Sequence, residues 1–355
     1  MPAARLLLVD DSAVIRRDLT IALAREPGLE VVGAASNGRV ALMKIPLLAP
    51  DVVVLDIEMP DLDELDTVAA IRKAWPKLPI IILNVATARG SAATVDALTL
   101  GASSYVMKPD VTVPSSEAVA ALAEEIVVKM EQCCSTFSRG HRAARLPLRG
   151  SASLGSERID VVAIGVSTGG PQALMDVVPA FTVDFPVPIL IVQHMPPVFT
   201  KLLAERLAAT ARIPVGEGML YQTLAPGNAW IAPGDFHMKV ERDGDEIRLL
   251  TDRSAPENSC RPSVDVLFRS VADVYGSHVL AVVMTGMGQD GLRGCEHVHA
   301  AGGQIIVQDE ASSVVWGMPG FVAKAGLAAQ VVPLKRLGAE IVDRVWRDRY
   351  TRAAV

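Results

Sequence analysis

Short apolar runs at residues 6–9, 30–34, 52–55, 80–83 and 104–107 alternate with longer stretches, such as 13–25 and 64–74, whose apolar positions recur every three to four residues. Runs apolar on both faces predict strands covered on both sides, and the intervening period predicts amphipathic helices. Five such units predict a doubly wound, five-stranded parallel α/β sheet in the first third of the chain. Pro27-Gly28 ends the first of these helices, and Pro76 follows the helix over 64–74. Pro46, inside the otherwise helical 39–48, predicts an end or a kink there. A last helix over 116–130 closes the region.

The pattern then changes. Residues 131–156 show no apolar periodicity and hold Arg139, Arg142, Arg145 and Arg149 against one acid, Glu131, which predicts a flexible basic linker. A second α/β series starts at 159–164 and continues at 188–192, 279–284 and 304–307. Residues 217–251 are richer in Gly, Pro and alternation, and predict antiparallel strands. The expected division is a domain over 1–130, the linker over 131–156, and a second, mostly parallel doubly wound domain over 157–350.

Composition narrows the classes. Half of the 355 residues are hydrophobic, enough to fill two cores, which excludes disorder for the bulk of the chain. The net charge of −6 joins two acidic domains through the basic linker and offers no footprint for nucleic acid. The four cysteines form no CxxC pair, so neither a disulfide framework nor structural zinc is expected, and a reducing cytoplasm is the simplest compartment. No apolar run approaches the roughly 18 residues of a membrane span, and the first residues do not read as a signal peptide.

Polar residues stand where the apolar runs stop. Asp10 and Asp11 follow LLLV, Asp56 follows VVVL, Asn84 follows IIIL, and Lys108 follows YVM. In a parallel sheet the carboxyl ends of the strands open into one crevice. Carboxylates gathered there repel one another unless a divalent cation such as Mg2+ takes their oxygens as ligands. A lysine beside them grips a phosphoryl oxygen, so the set suits phosphoryl transfer to one carboxylate. Singly, each acid also reads as a helix cap, as Asp11-Ser12 illustrates. As a set, LLLVDDSAVIRR, DVVVLDIEMPDLDELD and GASSYVMKP resemble the receiver domain of bacterial response regulators. The resemblance implies Asp56 as phosphoacceptor and Lys108 against the phosphoryl group, with a cis Lys108–Pro109 bond. It implies Mg2+ held by Asp10, Asp11, Asp56 and the backbone carbonyl of Glu58. Two positions depart from the family pattern. Asn84 stands where a hydroxyl residue usually switches its contact to the phosphoryl group. It can still donate an N–H, and Thr87 lies three residues off register. Glu64 replaces a common glycine after the acceptor.

Residues 159–175 read IDVVAIGVSTGGPQALM. Gly165-Val166-Ser167-Thr168-Gly169 fits G-x-S-x-G, a strand-to-helix turn that exposes a serine nucleophile near free helix N–H groups. A structural tight turn is the plainer alternative; the spacing does not fit a nucleotide loop. A nucleophilic serine needs a base, and the base an orienting acid. Among six histidines, His141 lies in the linker, His278 precedes a strand, and His297 and His299 fall in a helical pattern. His194 directly follows PVPILIVQ, at the sheet edge that Ser167 occupies, and position favours it over His237. Asp290, flanked by Gly286, Gly288 and Gly291, is the acid candidate; its alternative is an N-cap for the helix that follows. The order Ser, His, Asp is not that of the α/β-hydrolases.

GVSTGGPQAL, QHMPPVFT, PGNAWIAPGDFHM, RPSVDVLF, TGMGQDG and QDEASSVVWGMP together resemble the catalytic domain of the chemotaxis-specific protein-glutamate methylesterases. The resemblance implies hydrolysis of γ-glutamyl methyl esters on the cytoplasmic helices of chemoreceptors, releasing methanol, and deamidation of receptor glutamines. It makes Ser167 the nucleophile, His194 the general base and Asp290 its partner. The backbone N–H groups of Thr168 and Met287 become oxyanion-hole candidates. It further implies a cytoplasmic protein, a chemotaxis histidine kinase as phosphodonor, Mg2+ in the receiver, and no cofactor for hydrolysis. Neither nucleic acid nor membrane insertion is expected. Cys260 precedes RPSVDVLF, where the family often has His. Two rival readings remain: a phosphorylation-dependent docking protein with an inactive esterase-like domain, and a serine hydrolase of other substrates.

Overall fold

A computed structural model describes residues 3–59, 64–85, 87–108, 115–134 and 158–353. The chain divides into two compact units, Met1–Ala144 and Arg145–Val355. Most of the expected linker, and the Lys108–Pro109 bond, lie outside the described residues.

The first unit is a five-stranded parallel sheet in the order β2-β1-β3-β4-β5. Its strands are β1 (Ala4–Val9), β2 (Leu29–Ala35), β3 (Val52–Asp56), β4 (Ile80–Val85) and β5 (Ser104–Lys108). Leu6–Leu8, Val52–Leu55 and Ile80–Leu83 are fully buried, because helices cover both faces and alternation would waste apolar surface. The helices are α1 (Ala13–Leu23), α2 (Gly38–Leu48), α3 (Glu64–Ala74), α4 (Ala88–Thr99) and α5 (Ser116–Cys133). Ser12, Asn37, Thr87 and Ser115 cap α1, α2, α4 and α5 through their side-chain oxygens. Ser12, not Asp11, therefore caps α1. Pro46 neither breaks nor shortens α2 at once: it stands in the last turn, and the helix ends two residues later at Leu48. Helix α5 runs three residues past its expected end and takes the first residues of the expected linker.

The second unit holds a seven-stranded sheet in the order β14-β13-β12-β6-β7-β9-β8, with every pairing parallel. Its strands are β6 (Val161–Val166), β7 (Ile189–Gln193), β8 (Val215–Glu217), β9 (Ala229–Ile231), β12 (Val279–Val283), β13 (Gln304–Gln308) and β14 (Gln330–Val332). Within the glycine-rich stretch, β10 (His237–Asp243) and β11 (Glu246–Asp252) form the expected antiparallel pair. Strand β9 does not join them and instead pairs parallel with β7 and β8. Three residues are too short to show a period, which is why β8, β9 and β14 were not separable by pattern. Helices α6 (Gly170–Val177), α7 (Phe199–Thr210), α8 (Val264–Tyr275), α9 (Leu292–Ala300), α10 (Met318–Lys324) and α11 (Leu334–Ala353) complete the unit.

Helix α8 matters most for the site. It buries Val264, Leu267, Phe268 and Val271 against the sheet. It comes so close to β6 that a Cβ on Gly165 would collide with the Val264 side chain. We expect Gly165→Ala to push α8 outward at a cost of about 1–3 kcal/mol, read as a lower urea midpoint for the C-terminal unit. An unchanged midpoint would show that α8 does not lean on this glycine.

Candidate active site

At the carboxyl edge of the first sheet, Asp10 and Asp56 are buried and Asp11 is exposed. Lys108 Nζ lies 2.6 Å from Asp56 Oδ2 and 3.4 Å from Asp10 Oδ2. One lysine does not balance the cluster. Burial, and then the Asp56 charge, push the Asp10 carboxyl up to about 6 against the pull of Lys108. Asp10, Asp11 and Asp56 bring ligand oxygens within 4.8 Å of one another. An oxygen-rich, charge-deficient cluster of this kind fits a hard divalent cation such as Mg2+.

Asn84 is buried beside the cluster, but its amide nitrogen donates to Thr94 Oγ1 (2.5 Å) and its oxygen has no partner. One of the two N–H groups of the amide is thus spent within the domain, and only the other can serve a phosphoryl group. Thr87, off register in sequence, donates its hydroxyl to Glu58 Oε1 (3.1 Å) on the acceptor loop.

At the carboxyl edge of the second sheet, Ser167 and His194 follow adjacent paired strands, with Val166 opposite Gln193. His194 N donates to Val166 O (3.2 Å). Gln193 Nε2 reaches back to Ser167 O (3.0 Å) and His194 O (3.3 Å). The loop after β12 presses on the serine: a Cβ on Gly286 would stand 2.8 Å from Ser167 Cβ. Gly286, the residue before Met287, is therefore a close neighbour of Ser167, and Thr168 is held by Thr285, whose hydroxyl donates to the Thr168 carbonyl (2.9 Å).

His194 Nε2 lies 2.7 Å from Asp290 Oδ2, and its Nδ1 lies 3.7 Å from Cys260 Sγ. Both ring nitrogens are occupied, and Ser167 is not among their partners. Asp290 is buried and does cap a helix, but α8 and not the following α9. Val264 N (2.7 Å) and Asp265 N (3.0 Å) donate to it from the first turn of α8. Ser263 Oγ (2.8 Å), Asn258 Nδ2 (3.0 Å) and Gly291 N (3.1 Å) fill Oδ1. His194, Cys260 and Asp290 also bring potential metal ligands within 4.8 Å, but a carboxylate already holding six donors has no lone pair to spare for a cation.

Sequence reasoning passed over Asn258, Ser263 and Asp265. Asn258 Nδ2 bridges Asp290 and Asp265 Oδ2 (2.8 Å), which keeps two buried carboxylates from facing each other bare. The polar cluster PENSCRPS between apolar segments was the available signal. His237 is a structural tie: Ser263 N donates to its Nδ1 (3.2 Å), and its Nε2 meets Ala255 O (3.1 Å). His278 and His297 pair with Asp160 and Asp273 away from this edge, and His141 lies outside the described residues.

The family profile "CheB methylesterase" matches residues 162–341, and "Response regulator receiver domain" matches residues 6–113. A protein-glutamate methylesterase/protein-glutamine glutaminase from Trichodesmium erythraeum (strain IMS101) is 47% identical over 97% of this chain and 100% of its own. One from Nocardioides sp. (strain ATCC BAA-499 / JS614) is 44% identical over 98% and 97%. The crystal structure of the Thermotoga maritima CheB methylesterase catalytic domain is 39% identical, with a TM-score of 0.52, over 53% of this chain and 99% of that one.

Burial works to lower the His194 pKa, but hydrogen bonds to Asp290 and Cys260 and their charges outweigh it and raise it to about 9. Burial works to raise Asp290, but the bonds and charge of His194 and the N–H groups of α8 hold it at about 2. The His194 contribution to stability is full below its ordinary value of 6.5 and fades as pH rises through about 9. That of Asp290 is full above 3.8 and fades as pH falls through about 2. We expect the His194 ring resonances in a histidine-labelled NMR titration to move with a midpoint near 9, and the midpoint to fall in Asp290→Asn. An ordinary midpoint in the unaltered chain would contradict the assigned pairing.

Proposed function

The chain belongs to the CheB methylesterase family and carries a response regulator receiver domain, and on that footing we propose that it demethylates chemoreceptors under phosphorylation control. Its substrates are glutamate γ-methyl esters, and receptor glutamines that it deamidates. The observation that carries the reading is the 2.7 Å His194–Asp290 hydrogen bond at the sheet edge that also ends in Ser167. No helix among the described residues is long and apolar enough to cross a membrane, and we assign the protein to the cytoplasm beside the inner ends of its receptors.

The chemistry follows from the groups. Asp290 holds the proton on His194 Nε2, so Nδ1 is the nitrogen that acts as base, in the neutral ring that fills as pH rises toward about 9. Ser167 loses its proton to that nitrogen as its oxygen attacks the ester carbonyl. The N–H groups near Thr168 and Met287 receive the developing oxyanion. His194 returns the proton to the departing methanol, or to ammonia from a glutamine, and water releases the acyl group by the same exchange in reverse order.

In the receiver, Asp56 accepts the phosphoryl group and Lys108 contacts it. Asp10, Asp11, Asp56 and the Glu58 carbonyl would hold Mg2+, which would neutralise charge on the transferring group. A chemotaxis histidine kinase is the phosphodonor. Unphosphorylated receiver restrains the hydrolase, and phosphorylation relieves the restraint.

Methanol release from methylated receptor membranes tests each role. Ser167→Ala should lose on the order of 10^6 in turnover; retained activity would sink the nucleophile assignment. Asp56→Asn should keep basal release but lose its stimulation by acetyl phosphate with Mg2+. Deleting residues 1–130 should raise basal release. A rate no higher than that of the unphosphorylated whole chain would remove the restraint from the reading.

A further inference from the structure

Of the four cysteines, Cys260 is set against an imidazole. Cys133 spends its S–H on Lys129 O (2.7 Å) inside α5, and Cys134 and Cys295 are buried. Cys260 is half-buried, so a small reagent reaches it. In the neutral ring, which fills as pH rises toward about 9, the Nε2 proton is directed at Asp290 and Nδ1 is the acceptor; it lies 3.7 Å from the Cys260 sulfur, which also lies 3.4 Å from Asn258 O. Thiol, imidazole and carboxylate thus stand in the order that deprotonates a sulfur nucleophile.

The loop fixes this arrangement. Glu257 and Cys260 exchange two backbone hydrogen bonds (3.1 and 2.9 Å). Asn258 and Ser259 are left-handed, with φ of 52° and 61°, and the Asn258 side chain is anchored on Asp265 and Asp290. The backbone of Cys260 is thus fixed beside His194, and only rotation of its side chain moves the sulfur off the ring.

We propose that Cys260 is a disulfide-exchange site for small disulfides of the glutathione type, and that its mixed disulfide closes the hydrolytic centre. His194 Nδ1 takes the Cys260 proton, and the sulfur attacks one sulfur of the small disulfide. The new S–S bond forms as the old one breaks, and the departing thiolate takes the proton from His194. Cys260 is oxidised, one half of the reagent is reduced to a thiol, and a bulky group now covers Nδ1. The loss of hydrolysis rests on the role proposed above for His194; the exchange itself does not.

The test incubates the full chain with oxidised glutathione and follows the Cys260 and Cys133 adducts by peptide mass spectrometry, with methanol release in parallel. Cys260 should react about tenfold or more faster than Cys133, and His194→Gln should reduce that rate by about tenfold or more. Unfolding the unaltered chain in urea should bring the two rates to about the same value, a comparison that needs no variant. Methanol release should fall in step with the Cys260 adduct and return with dithiothreitol, and Cys133→Ser should behave like the unaltered chain. Equal rates in the folded chain, or a Cys260 rate indifferent to His194→Gln, would overturn the exchange site. Release that persists at full Cys260 modification would overturn the closure. A chain that releases no methanol before treatment refutes the proposed function, while the exchange rates still decide the thiol site.

Discussion

The C-terminal site hangs on one buried carboxylate. Asp290 sits where burial alone would cost several kcal/mol for a charge. It stays charged because six donors converge on it from four places: the first turn of α8, the loop with Asn258 and Ser263, its own next residue, and His194. Hydrogen bonds to a charged group are worth about 1.5–3 kcal/mol each, so the set outweighs the desolvation. Each donor is also a constraint. The α8 N–H groups fix the carboxylate relative to the sheet, and the carboxylate then fixes the ring of His194. Packing of α8 on Gly165 is therefore part of the electrostatics of the site, although neither residue touches the reacting groups.

The two units use the same geometry to opposite electrostatic ends. Both gather polar residues where parallel strands stop, and both bury acids there. In the first, Asp10 and Asp56 share one lysine, and burial, then the Asp56 charge, push Asp10 up to about 6. In the second, Asp290 is held at about 2 because its donors are complete. The divalent cation proposed for the first pocket would supply the charge that its one lysine does not. The second is already closed around its acid and keeps its reactivity for the histidine and serine beside it. An acidic cluster alone would not separate these cases; the donor inventory does.

Much of this was legible in the chain. Apolar runs gave the central strands to within a few residues, since burial on both faces leaves a mark that depends only on local sequence. Ser167 and His194 could be singled out because each follows such a run directly, and Asp290 because Gly286, Gly288 and Gly291 crowd around it in the turn after one. What escaped was set by distance. Asp290 reads in the sequence as a cap for the next helix, whereas it caps α8, which starts 26 residues earlier in the chain. No local rule marks that pairing. His237 looked available until Ser263 N and Ala255 O filled both its nitrogens. Strand β9 is three residues long and reads as part of its antiparallel neighbours, although the sheet claims it.

The orientation of His194 carries the last step. Asp290 binds Nε2, so the nitrogen left for catalysis is Nδ1, and Cys260 stands on it. Serine chemistry requires that this nitrogen be released to Ser167, by a small turn of the ring or by a substrate that displaces the thiol contact. A thiol is a weak hydrogen-bond partner, so the contact costs little to give up. A residue with a strong donor at position 260 would hold the ring away from the serine far more firmly. The sulfur therefore rests on the base without locking it, and the centre stays open to Ser167 for as long as position 260 remains a free thiol.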